Sequence, residues 1–398
     1  MKNRLVQWMW LLMPAILITA MQLTVLPLLS RSLGVEQLLT FQMMMSLWPW
    51  VILAALGLDK LVRSCVNDKN SQLVDLAMRW RSLMLIMTII GVGLGWSLAN
   101  IAKKGELLAW IFYCGIGASS GVATVGREWM LACDQALDVA KWYTSALMLT
   151  LGLLVLGFFY TWTLLQIVLV WLVPQWIVLM ACCTRMGLLK SNKLSPLKKI
   201  YKTGQGGFAI QSVGLVALSS LDVFVINFFQ GQAAALSYVL ITRVVFIAFP
   251  FAISLANPLI AKIHSEVGYK WSVCFAQAVA IHAGFSGITA IAVSLFGAKI
   301  FLILLDVKIA EISGTQFVAL FSLGLGRAIV EAGFQLLGGE SMANQARWAS
   351  LACILGLILL IVTTSTNFCT PLCAAALGWA VPAAYYCGLA GLAMVSRK

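Results

Sequence analysis

What most constrains this sequence is a succession of long apolar runs that fills it from end to end. Residues 5–29, 37–58, 82–100, 107–128, 143–160 and 162–183 form the first six runs, and 207–229, 233–261, 271–296, 314–336, 348–365 and 371–394 form the rest. About twenty apolar residues cross a bilayer core as a helix. Inside lipid, a helix is how a single segment satisfies its own backbone polar groups. The runs therefore predict an all-α, polytopic membrane protein of twelve transmembrane helices. With 61% of 398 residues hydrophobic and 10% charged, the chain has no room for a soluble catalytic domain. The first run follows Met1-Lys2-Asn3-Arg4 as a signal peptide would, but it is too long and lacks a small-residue cleavage site. It is expected to be a retained first helix. Residues 299–311 are too short to span, and are expected to lie at the interface as an amphipathic segment.

The net charge of +13, from 27 Lys and Arg against 14 Asp and Glu, would suggest a nucleic-acid partner in a soluble protein. Here topology accounts for it. With a cytoplasmic N-terminus and alternating spans, only Arg31, Lys103, Lys104, Lys299 and Lys308 fall outside. Arg243 and Arg327 lie within spans, and every other basic residue is cytoplasmic. That bias follows the positive-inside rule, predicts both termini in the cytoplasm and leaves no call for nucleic acid. The basic segment 184–206 reads as a cytoplasmic linker between an N-terminal lobe, 1–183, and a C-terminal lobe, 207–398. Two such lobes put a transporter's substrate site between them near the midplane. Trp8, Trp10, Trp110, Trp129, Trp142, Trp162, Trp271 and Trp348 fall near span ends, where the amphipathic ring anchors at the interface. The ten cysteines show no CxxC pair, and Cys369 and Cys373 are expected as free thiols.

Ionisable groups inside spans are costly and mark functional positions by default. They are Asp222 in span seven, Arg243 in span eight, His282 in span nine, and Arg327 with Glu331 in span ten. At 1.5 Å per residue the depths of Asp222 and Arg243 differ by about 5 Å, so an ion pair across the hairpin is feasible. Helical spacing puts Gln211, Leu215, Leu218 and Asp222 on one stripe, and Arg243, Ile247, Pro250, Ser254 and Asn257 on another. Pro250 and Pro258 free backbone carbonyls and allow a bend. Arg327 and Glu331, four residues apart after Gly324 and Gly326, share one face. Two readings stand for them: a self-neutralised packing pair, or groups lining a cavity. His282 is a candidate proton relay or a neutral imidazole bonded to a neighbour. The first lobe has no mid-span charge, only groups such as Gln22 and Gln42, and span one has no carboxylate. Two His and scattered polar groups offer little for general acid–base work, so no enzyme and no metal or cofactor site is expected.

At Leu26-Pro27-Leu28-Leu29-Ser30-Arg31-Ser32-Leu33-Gly34-Val35-Glu36, and again at Gly57-Leu58-Asp59, the sequence resembles bacterial polysaccharide flippases of the Wzx type. These belong to the multidrug/oligosaccharidyl-lipid/polysaccharide exporter superfamily. The second lobe is similar to the same family at Leu221-Asp222-Val223-Phe224-Val225-Ile226-Asn227-Phe228-Phe229, at Tyr238, and through Pro250 and Pro258 to Ala261-Lys262-Ile263. Leu39-Thr40 departs from it, standing where many relatives have a Gly-containing turn.

The resemblance implies a MATE-like fold of two six-helix lobes in the bacterial inner membrane. It also implies alternating access that moves an undecaprenyl-pyrophosphate-linked oligosaccharide to the periplasmic leaflet, for O-antigen or other surface polysaccharide. A polysaccharide polymerase and a chain-length regulator would be its partners, besides membrane lipids. The family's cationic cavity points to Arg243 and Arg327, with Arg31 near the external mouth. Asp222 and Glu331 would exchange with substrate or act as a protonation switch, and the coupling ion would be a proton or sodium. Lys60, Arg63, Lys198, Lys199 and Lys202 could gather anionic lipid donors at the cytoplasmic rim, although the positive-inside rule alone accounts for them. The alternative within the superfamily is a drug or cation antiporter, which would favour a carboxylate in the first lobe. A polytopic polymerase or ligase would be expected to show a large external loop bearing acid/base residues. The longest external stretch here, 297–313, is apolar and has no His.

Overall fold

The computed structural model describes residues 2–32, 44, 53–63, 71–102, 106–160, 162–188, 205–231, 234–235, 237–238, 241–242, 249–263, 267–305, 313–338 and 340–395. Among these, all regular structure is helical. The chain divides into two compact units, residues 1–209 with 338–343, and 210–337 with 344–398.

The first unit contains α1 (Lys2–Ser32), a 3-10 turn at Leu53–Ala55, the short α2 (Leu58–Leu61), α3 (Ser71–Ala102), α4 (Leu107–Ala132), α5 (Ala136–Phe159) and α6 (Leu164–Met186). Its hub is α4, which packs against both α3 and α6. The sequence of α4 explains why: Gly115, Gly117, Ala118, Ser119, Ser120, Gly121 and Ala123 are all buried. In lipid, helices associate through close packing of small residues rather than by apolar burial. Gly95 of α3 meets this surface so closely that an added Cβ would stand 2.5 Å from the Trp110 carbonyl oxygen. The Trp80 indole then donates to the Val122 carbonyl at 3.2 Å. The opposite face of α3, with Leu85, Ile89, Ile90 and Trp96, is exposed, as a lipid-facing surface would be. Gly57, just before α2, has φ +78°, and a Cβ there would lie 2.6 Å from Ala209 N and Gln205 O. Both the turn and the close approach exclude a side chain.

The second unit contains most of α7 (Gln205–Gln230), α8 (Phe249–Ala256) running into a 3-10 turn (Asn257–Lys262), α9 (Tyr269–Leu305), α10 (Gly314–Leu336), α11 (Ala343–Ser365) and α12 (Pro371–Val395). Pro258 stands at the start of the 3-10 turn, where its missing N–H ends the α-helical pattern. Here α10 is the hub, against α9 and α12. Gly326 and Gly333, two turns apart, make room for Trp379 and Tyr386 of α12. Capping boxes start α6 (Thr163 with Gln166) and α10 (Ser313 with Gln316), satisfying backbone donors at the ends of otherwise apolar helices.

Nine helices among the described residues are long and apolar enough to cross a membrane, so this is a multi-pass membrane protein. They cover expected spans three to seven and nine to twelve, and α1 covers span one with an apolar stretch at Val6–Met21. Most of span two, and part of span eight, lie outside the described residues.

Several expectations change. Residues 299–305 continue α9 and are not a separate interfacial segment, and 306–311 lie outside the described residues. At 37 residues, α9 is about 55 Å long, well beyond a core of about 30 Å. Its Ile-Phe-Leu-rich end lacks proline, so nothing stops the helix. Trp110 and Trp271 are not interfacial anchors but fully packed core residues, whereas Trp8 and Trp348 are exposed. Cys369 and Cys373 are free thiols.

Candidate functional site

The polar residues of the second unit's helices gather in its interior. On α7 the stripe Gln211, Leu215, Leu218 and Asp222 is buried throughout. Asp222 accepts a hydrogen bond from the Tyr238 hydroxyl at 2.6 Å and one from the Val223 N–H at 2.7 Å. One carboxylate oxygen is thus taken by each donor. Arg243, its expected partner, lies outside the described residues. One end of the stripe is tied to α12, where the Gln211 amide donates to the Tyr386 hydroxyl at 2.8 Å.

Three polar residues of α10, Arg327, Glu331 and Gln335, follow at four-residue spacing and so share one face. Arg327 Nε is 3.5 Å from Glu331 Oε1, an ion pair too long for a good hydrogen bond. The guanidinium lies over two rings, with centroids at 5.1 Å for Phe249 and 5.4 Å for Trp379. Both are within reach of cation–π attraction. Its field acts on Asp222 and on Tyr238. One turn on, the Gln335 amide donates to the Ile253 carbonyl at 3.1 Å and to Asn257 Oδ1 at 2.9 Å. Its oxygen is left to accept from His282 Nε2 at 3.3 Å. That assignment makes Nε2 the protonated nitrogen of a neutral His282. The ring is buried, 5.8 Å from Phe249, and its Nδ1 finds no hydrogen-bond partner among the described residues. Of the residues singled out in the sequence, Asp222, His282, Arg327 and Glu331 therefore share one interior. Arg31 lies in the first unit, at the end of α1.

A second charged cluster, in the first unit, escaped the sequence reading. Glu128 accepts from Arg63 Nη2 at 2.7 Å and from Arg127 Nη2 at 2.8 Å, with the Arg63 and Glu128 side chains 8% and 4% exposed. Lys60 is buried as well. Burial pushes its ammonium down to about 8, against the pull of the Glu128 carboxylate. Arg127 and Glu128 belong to α4, which runs four residues past the expected span end, to Ala132. Gly338 lies against Arg63, so that a Cβ there would meet its Cδ. Lys60 and Arg63 are thus not an open rim for lipid. The signal available in the sequence was the Arg127-Glu128 dipeptide closing an apolar run.

No family model matches the sequence, and no curated protein does. Solved structures do. A MATE transporter in complex with MaD3S aligns at TM-score 0.66 and 15% identity, over 98% of this chain and 94% of the other. The fold is that of the MATE transporters. A MOP-superfamily transporter from Pyrococcus furiosus, described as having a binding pocket of reversed polarity that suggests a different function, aligns at 0.66 and 15% over 99% and 96%. The Vibrio cholerae MATE transporter VcmN, as a point variant, aligns at 0.62 and 14% over 99% and 97%. At such identities the likeness carries the fold, and the substrate must be argued from the residues.

Proposed function

We propose that this chain is a membrane transporter of the multidrug/oligosaccharidyl-lipid/polysaccharide exporter superfamily. Its substrate in this reading is an amphipathic anion, an undecaprenyl-pyrophosphate-linked oligosaccharide carried from the cytoplasmic to the periplasmic leaflet. Arg327 carries the proposal. It is a guanidinium that lies over two aromatic rings and 3.5 Å from Glu331, and in this reading pyrophosphate oxygens take the place of that carboxylate, which is neutralised by a proton. The planar fork suits bidentate phosphate contacts, which strengthen away from water. The family resemblance adds Arg243 and Arg31 as further substrate contacts. Asp222, whose oxygens are both occupied, positions Tyr238 beside it. Glu331, released from Arg327, together with His282, would take up a coupling proton, with sodium as the alternative ion. The setting is the bacterial inner membrane with both termini cytoplasmic, where a polysaccharide polymerase and a chain-length regulator would receive the product.

A second reading is a drug or cation antiporter, with Glu331 and Asp222 exchanging protons or sodium for a cationic substrate. The solved structures favour it: one neighbour is a multidrug resistance MATE transporter, and on fold likeness alone this is the better supported of the two. Against it, Arg327 meets any cation approaching Glu331, and span one has no carboxylate.

Reconstitution in liposomes separates them. With a cognate lipid-linked oligosaccharide in one leaflet, wild type should expose it to an impermeant reagent at the other, and Arg327→Ala should abolish this while Arg327→Lys retains a fraction. Cation efflux driven by a pH gradient, with no oligosaccharide movement, would replace the first reading by the second.

A further inference from the structure

A cavity of about 440 Å³ opens where α9 begins. One wall is a single face of that helix, Lys270, Val273, Cys274 and Gln277, spaced i, i+3, i+4 and i+7. Tyr269, with Ala261 and Lys262 from the end of the 3-10 turn, completes it. The volume is that of a small-molecule pocket, about 300–1,000 Å³.

The chemistry of the lining is one-sided. Lys262 and Lys270 are exposed and both line this one cavity, beside the buried Cys274. Neither forms an ion pair among the described residues. Among the described residues no carboxylate lines the cavity; their polar groups there are two ammonium groups, a phenol and an amide, all able to donate to an anion. Ala261, Val273 and Cys274 give it an apolar side.

The charge pattern of the sequence assigns this end of α9 to the cytoplasmic membrane surface. That rule explains the side on which the lysines lie, but not why two elements bring them to one cavity with an apolar wall. We propose that this cavity binds the phosphate-bearing head group of an anionic membrane lipid, with Lys262 and Lys270 on the phosphate and the acyl chains running beside Val273. Lysine suits such a ligand, because a compact charge on a flexible stem follows a phosphate held in no fixed orientation. A site of this kind would serve a transporter of either substrate class.

The test uses the full chain, purified in detergent, stripped of lipid and titrated by native mass spectrometry. The probes are phosphatidylglycerol, phosphatidylethanolamine and inorganic pyrophosphate. Phosphatidylglycerol should bind saturably, more tightly than phosphatidylethanolamine. The K262Q/K270Q double variant should weaken it about tenfold or more. Both lysines are exposed, so the variant should fold, and an unchanged melting temperature would verify this. A control that removes two basic residues elsewhere, K141Q/R347Q, should leave binding unchanged. Equal binding by wild type and K262Q/K270Q, or an equal loss in the control, overturns the assignment. Pyrophosphate that binds tightly and displaces phosphatidylglycerol assigns the cavity to a soluble anion and overturns the lipid.

Discussion

The two units bury charge in opposite ways. In the first, Glu128 is held by two arginines at 2.7 and 2.8 Å, and Arg63 and Glu128 are almost fully enclosed. In the second, Arg327 and Glu331 sit 3.5 Å apart with about a fifth of each side chain exposed, and the guanidinium lies over two aromatic rings. A carboxylate with tight cationic partners has no reason to let go, since separating them would strand charge in a poor solvent. A long ion pair on an aromatic cushion loses little when a ligand replaces one member. The first arrangement suits an anchor and the second an exchangeable site.

The largest expected effect follows from that contrast. Glu128→Ala leaves Arg63, Arg127 and Lys60 without their shared carboxylate, and removing one partner of a buried pair costs about 3–5 kcal/mol. Glu331→Ala removes one member of a longer pair that is about a fifth exposed, so it should destabilise by less, but should impair transport. Thermal unfolding of both variants in detergent, beside a transport assay, checks the contrast. Equal destabilisation would erase the distinction between anchor and site.

Most of the fold was legible in the sequence, because a run of about twenty apolar residues has few other fates. The ends were less so: α3 begins at Ser71 and α5 at Ala136, both ahead of their apolar cores, because polar residues beyond the core still extend a helix. Asp222, His282, Arg327 and Glu331 stood out because charge in an apolar run is costly. Their partners did not. Nothing in the sequence marks Tyr238 or Gln335 as their partners, and the Gln211 to Tyr386 and His282 to Gln335 contacts join residues 175 and 53 positions apart. Glu128 was missed for a related reason: at the end of a run, beside an arginine, it reads as part of a solvated loop. Its contact with Arg63 spans 65 positions.

Lys60 gives the anchor a pH signature. In the folded chain, burial depresses its ammonium to about 8, while in the unfolded chain it stays protonated to about 10.5. Between those values the unfolded chain binds more protons, so this residue makes stability rise with pH. Below 8 the buried charge is a fixed cost. The rise should amount to about 2–3 kcal/mol. It should vanish in Lys60→Gln, as read from denaturant midpoints measured between pH 7.5 and 10.5. The facing charges, Glu128, Arg63, Asp59 and Arg127, remain in the variant, so a rise that persists would have to come from elsewhere and would detach Lys60 from the anchor.

The smallest effect separates the units by how closely their hub helices are pressed. Gly126 of α4 faces backbone: an added Cβ would meet Cys183 N, with the Cys182 carbonyl carbon at 2.7 Å. Backbone of a packed helix cannot swing aside, so Gly126→Ala must push α4 and α6 apart, at about 1–3 kcal/mol. Gly326 of α10 has more room, with the Trp379 Cβ at 3.3 Å and its backbone C and O at 3.5 Å, so a shift of Trp379 by a few tenths of an ångström makes space. Gly326→Ala should therefore cost under about 1 kcal/mol. The displaced tryptophan is one of the two rings under Arg327. A methyl group that scarcely alters the melting temperature should then lower transport, whereas Gly126→Ala should lower stability first. If Gly326→Ala leaves transport intact, the aromatic cushion is packing alone, and the contrast between anchor and exchangeable site rests on the ion-pair distances.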